Sequence, residues 1–193
     1  MPLSLRPVPS RLIASLLFVT TTSVIAAPAA AQDGVFDEMR FGVTTSIASG
    51  GKQEDGVFPS FTLYFDPFNA DGAADLGEKL LRPRVYTGAA VATSSNGVNQ
   101  AYAGLSWTFD MTQRLFVEFG AGGTVHDGDL DDPNGSGPQL GCRVLFREYA
   151  AAGVRLDEHW NVSATVEHAS HANLCDGPNN GLTRAGLALG YKF

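Results

Sequence analysis

Trp160-Asn-Val-Ser-Ala-Thr-Val-Glu-His-Ala-Ser170 alternates along most of its length. Val162, Ala164 and Val166 fall on one side of an extended chain, and Ser163, Thr165 and Glu167 on the other, because successive side chains of a strand point to opposite faces. The closing segment repeats the pattern: Ala185, Leu187, Leu189, Tyr191 and Phe193 oppose Arg184, Gly186, Ala188, Gly190 and Lys192. Farther back, Leu115, Val117, Phe119 and Ala121 oppose Phe116, Glu118 and Gly120. Working outward from these three segments, the sequence predicts eight strands, at 39–48, 57–66, 84–93, 100–109, 114–124, 140–156, 160–170 and 183–193. Most are about ten residues long, the length a tilted strand needs to cross a bilayer.

A soluble sandwich has the same local alternation. Three further features favour a closed barrel in a membrane. The strand number is even. The chain ends on an aromatic strand, Tyr191-Lys192-Phe193, like an outer-membrane assembly signal. The polar face carries Glu118, Arg143, Arg147 and Glu167, which suit a barrel interior better than a dry core and are expected there to pair with one another. Connections alternate in length too. With the N-terminus on the periplasmic side, 110–113 and 157–159 are tight inner turns, and 49–56, 125–139 and 171–182 are longer outer loops. The inner connection 67–83 is an exception, and a short helix is expected within it at Ala73–Leu81.

The N-terminus reads as a secretory signal. Arg6 and Arg11 precede an apolar stretch from Leu12 to Ile25, and Ala29-Ala30-Ala31 supplies small residues for cleavage before Gln32. The expected organisation is a signal peptide at 1–31 followed by one barrel domain at 32–193. Removing the two arginines leaves 11 basic against 20 acidic residues, a net charge of −9. Such an acidic exported chain is a poor fit to nucleic acid. No mature segment is apolar for long enough to be a membrane helix. Export also means an oxidising compartment, so Cys142 and Cys175 are expected to form a disulfide, at the outer rim beside Ser170.

His168 and Ser170, two apart on a strand, share a face about 7 Å apart along the chain. They continue the apolar face of Val162, Ala164 and Val166 and so point towards lipid. A neutral imidazole beside a serine hydroxyl is the pairing that nucleophilic ester hydrolysis needs. Polar residues at such a place are costly unless they lie among headgroups.

His168-x-Ser170, the polar loop, Asn180-Gly181-Leu182 and a last strand ending Tyr191-Lys192-Phe193 together resemble the PagL family, lipid A 3-O-deacylases and acyloxyacyl-hydrolase-like proteins. The resemblance implies an eight-stranded antiparallel outer-membrane β-barrel, all-β, with its site on the outer surface at the outer leaflet. It implies a serine esterase that removes an ester-linked acyl chain from lipid A, with lipopolysaccharide as partner and no cofactor or metal. His168 would be the base and Ser170 the nucleophile. The position of the family's triad acid holds Thr183, which can orient an imidazole but carries no charge. Asp176 is a possible substitute, whereas Glu167 lies on the opposite face. Where the family favours an oxyanion-hole asparagine stands His171, and Asn173 or backbone N–H groups are the other candidates. A non-catalytic barrel of the same fold, structural or lipid-binding, is the alternative, and a small pore is a third.

Other motifs read as structural. Asp127-Gly-Asp-Leu-Asp-Asp132 resembles the start of a calcium loop but lacks its glycine and its twelfth-position acid. His126 and His159 are expected at the surface or interface, and Trp107 and Trp160 in interfacial belts.

Overall fold

The computed structural model describes residues 35–49, 52–131 and 134–193. The expected signal peptide at 1–31, the cleavage point at Gln32 and Asp132 of the acidic loop lie outside them. The described chain forms β1 (Phe36–Ser46), β2 (Val57–Phe65), β3 (Arg84–Ala90), β4 (Gln100–Asp110), β5 (Leu115–His126), β6 (Val144–Arg155), β7 (Trp160–Ser170) and β8 (Leu182–Lys192). Each pairs antiparallel with its neighbour in sequence, and β8 pairs with β1, so the sheet closes into a barrel. Closure leaves no strand edge with unpaired N–H and C=O groups, a condition for a sheet in hydrocarbon.

All eight expected strands are present. The start of the sixth is corrected: 140–143 is irregular, because Gly141 adopts φ +67 and Cys142 is tied into a disulfide, and pairing begins only at Val144. In the long inner connection the helix is shorter than expected. A 3-10 turn at Ala70–Gly72 precedes a six-residue helix, α1 (Leu76–Leu81), capped by Asp75, whose side chain accepts from the Glu78 N–H. The tight turns 111–114 and 156–159 lie at the same end as α1. Trp107 donates its ring N–H to the Leu80 carbonyl at 3.0 Å, and Trp160 packs edge-on against Tyr191, so both tryptophans form a belt at the inner end. His159 stacks on Tyr191 beside them.

The interior is filled in layers. Towards the inner end, Glu118 is completely buried and accepts from Arg40 at 2.8 Å, from Tyr149 at 2.8 Å, from Thr108 at 3.0 Å and from Arg84. Arg84 also reaches Asp37 at 2.7 Å and Glu38 at 3.0 Å. The middle layer holds Tyr64, Tyr86, Tyr102 and Tyr149, with the Arg147 guanidinium 4.1 Å over the Tyr102 ring and paired to Glu167. Near the outer mouth, Glu54 folds in from the β1–β2 loop and takes two hydrogen bonds of 2.7 Å from Arg184, which lies over Phe58. Val98, Leu140, Leu145, Ala169 and Leu182 close this end. Desolvated charges are tolerable when each meets an opposite charge and further hydrogen bonds.

Two expectations about the interior are corrected. Glu118, Arg147 and Glu167 are inside, but Arg143 is exposed at the rim and donates to the carbonyls of His126 and Gly128. The four do not all pair with each other: Glu118 is neutralised by Arg40 and Arg84 instead. His126 is also corrected. It is buried, with Nε2 2.6 Å from the Cys142 carbonyl oxygen.

Candidate active site

Strand parity decides what faces outward. On β7, Asn161, Ser163 and Ala169 are buried inside the barrel, so Trp160, Val162, Ala164, Val166, His168 and Ser170 face out. On β8, Leu182, Arg184 and Ala188 are buried, which puts Thr183 outward. The register sets His168 directly opposite Thr183, and His168 Nδ1 lies 2.8 Å from Thr183 Oγ1. Thr183, at the position of the family's triad acid, therefore contacts the imidazole. Nε2 makes no hydrogen bond to another described residue. Among the described residues His168 and Ser170 share their face without a direct hydrogen bond.

The surroundings are apolar. Phe146 pairs opposite Ser170 and is exposed, as are Val166 and Ile47, whose N–H donates to the Thr183 carbonyl. Leu174, in the loop after Ser170, is 74% exposed. A polar pair enclosed by exposed apolar side chains at a barrel's outer end suits the boundary between acyl chains and headgroups.

That loop is pinned. Cys142 and Cys175 form the expected disulfide, with Cα atoms 6.0 Å apart. Gln139 and Asn180 exchange two hydrogen bonds, and Leu174 N–H closes a turn onto the His171 carbonyl. Inside this turn Ala172 (φ 49) and Asn173 (φ 59) are both left-handed, an uncommon conformation for alanine that the surrounding bonds must hold. Cys142→Ser opens a bridge that closes a separation of 33 residues. We expect it to lower stability by about 3–4 kcal/mol, read from urea unfolding in vesicles. An unchanged midpoint would show that the hydrogen bonds alone hold the loop.

The other site candidates separate. The His171 side chain continues the inward parity of Ala169. It is buried, with Nε2 3.3 Å from the Pro178 carbonyl oxygen, and so lies on the opposite side of the chain from Ser170. Asn173 is exposed in the turn. Asp176 is exposed and, among the described residues, makes no hydrogen bond or ion pair with His168, and Glu167 points inward to Arg147. One outward acid escaped the sequence reading. Glu148 on β6 stands directly opposite His168. Only the pairing register reveals this, since the two residues are twenty apart. Among the described residues no group of acids, histidines or cysteines could hold a metal ion, and Asp127 is engaged with Asn99.

A closed eight-stranded barrel with an outward His/Ser pair at its outer rim is an outer-membrane barrel with a candidate esterase site on its lipid-facing wall. The family model for lipid A 3-O-deacylase (PagL) matches residues 85–192, more than half of the chain. The protein belongs to that family and to the outer membrane. Among solved structures it is similar to that of the outer membrane enzyme PagL, at 18% identity and a TM-score of 0.57, covering 80% of this chain and 97% of that one. It is also similar to the N-terminal β-barrel domain of Pseudomonas aeruginosa OprF, at 11% identity and a TM-score of 0.55, covering 83% and 98%. Both likenesses concern the fold. No curated protein matches the sequence.

Proposed function

We propose that the protein is a serine esterase that removes an ester-linked acyl chain, the 3-O chain in keeping with its family, from lipid A in the outer leaflet. The observation that carries the reading is the lipid-facing group of Ser170, His168 and Thr183, with one imidazole nitrogen bonded to Thr183 and the other without a hydrogen bond among the described residues.

The chemistry runs as follows. Ser170 Oγ forms a bond to the ester carbonyl carbon as its proton passes to His168 Nε2, and the carbonyl electron pair moves onto oxygen. Collapse of that intermediate expels the sugar oxygen, which takes the proton from His168. Water, deprotonated by His168, then releases the fatty acid and restores Ser170. Thr183 accepts from Nδ1–H and holds the useful tautomer. The N–H groups of Ala172 and Asn173 have no protein acceptor among the described residues, and they are the donors we assign to the oxyanion. The substrate's own acyl chains lie in the membrane beside this wall, which supports acting on it from the side.

The competing reading is a non-catalytic barrel, favoured by the hydroxyl of Thr183 where a carboxylate would be expected. The test is purified barrel refolded in detergent with lipopolysaccharide, followed by mass spectrometry of lipid A. Loss of one hydroxyacyl chain is expected. Unchanged lipid A in the presence of folded protein would reject the esterase.

A further inference from the structure

Every outward position of the eight strands is apolar, glycine, serine, threonine or histidine, with one exception. Glu148 on β6 is exposed between Phe146 and Ala150, and it is the single charged side chain on that face among the described residues. A carboxylate facing lipid is unfavourable, which makes its location informative. It lies in the same cross-strand row as the candidate site: Glu148 pairs with His168, and His168 pairs with Thr183. Directly opposed residues of an antiparallel pair hold their Cβ atoms about 5 Å apart. Glu148 and His168 also line one shallow groove of about 400 Å³, floored by Phe119, Ala150 and Val166.

We infer that Glu148 supplies the negative charge that Thr183 lacks. The inference rests on the esterase reading above. When Ser170 gives its proton to His168, the ring becomes imidazolium on an apolar wall. Thr183 can accept the Nδ1–H but cannot offset the charge. A carboxylate on the other flanking strand does so through space, and apolar surroundings strengthen the attraction. Division of labour follows: Thr183 orients the ring and Glu148 compensates its charge. Glu148 acts through His168 and touches no reacting atom, so it is a positioning residue. No proton passes to it.

The experiment uses the full barrel in detergent with lipopolysaccharide, and in parallel a fluorophosphonate that labels Ser170 without needing lipid A. Glu148→Gln keeps size and removes charge. It is expected to lower kcat on the order of 10- to 100-fold with KM unchanged, and to slow labelling by a similar factor. Glu148→Asp keeps the charge and is expected to stay within about threefold of wild type. Heat-dependent mobility on gels reports that each variant is folded. A Gln variant as fast as wild type in both assays overturns the inference and leaves the esterase standing. So does a Gln variant that changes KM alone, or an Asp variant as slow as Gln. A wild-type barrel that neither deacylates lipid A nor labels at Ser170 rejects the esterase, and this role with it.

Discussion

Ser170→Ala yields a barrel that folds as wild type does and leaves lipid A intact. The fold should be indifferent because Ser170 ends β7 on the outward face, where its hydroxyl is not part of the interior network. Activity should not be indifferent. Without Oγ there is no acyl-enzyme, and residual catalysis would come only from whatever else polarises the carbonyl. Loss of a nucleophile in such sites costs on the order of 10⁴-fold or more. Side-by-side mass spectra of lipid A from the two barrels, with gel mobility as the folding control, measure this. Full deacylation by Ser170→Ala would remove Ser170 as nucleophile and require another group, such as a water activated by His168.

The barrel was legible because its evidence is local and repeated. Alternation in segments such as 115–121, 160–170 and 184–193 needs only period two, and closure follows from there being no edge a membrane would tolerate. His168, Ser170 and Thr183 were legible for the same reason, since parity along β7 and β8 sets their face. The missed features are those that depend on which residue stands beside which across strands. Glu148 reads as an ordinary strand acid until the β6–β7 register sets it opposite His168. Arg40 and Arg84 neutralise Glu118 from 78 and 34 residues away, and Glu54 reaches Arg184 across 130. Arg143 has inward parity, but the strand starts one residue later, at Val144, so the guanidinium caps carbonyls at the rim instead of entering the lumen. His171 shows the opposite case: parity alone, continued one residue past β7, would have turned it away from the oxyanion site.

Glu118→Ala is expected to cause the largest loss of stability of any single change in the interior. The carboxylate is fully buried and satisfies donors from five side chains: Arg40, Arg84, Thr108, Tyr149 and, at 3.4 Å, Tyr64. Removing it brings no compensating gain. Arg40 keeps Glu38, and Arg84 keeps Asp37 and Glu38, so three carboxylate–guanidinium contacts remain where two buried cations had shared a further anion. Breaking a buried pair by deleting one partner costs about 3–5 kcal/mol, mostly from the charge left behind. Urea unfolding of the barrel in vesicles should show an unfolding free energy lower by that amount. Glu118→Gln keeps the shape and an acceptor oxygen yet loses the charge. It is expected to recover less than half of the loss, which would assign the larger part to electrostatics rather than to the space vacated. A loss below about 1 kcal/mol for Glu118→Ala would mean that water enters and hydrates the two guanidinium groups, making the inner half of the lumen wetter than its side-chain packing implies. Deacylation per folded molecule should stay at the wild-type level in either variant, because Glu118 faces the lumen and the row of Glu148, His168 and Thr183 faces lipid on other strands.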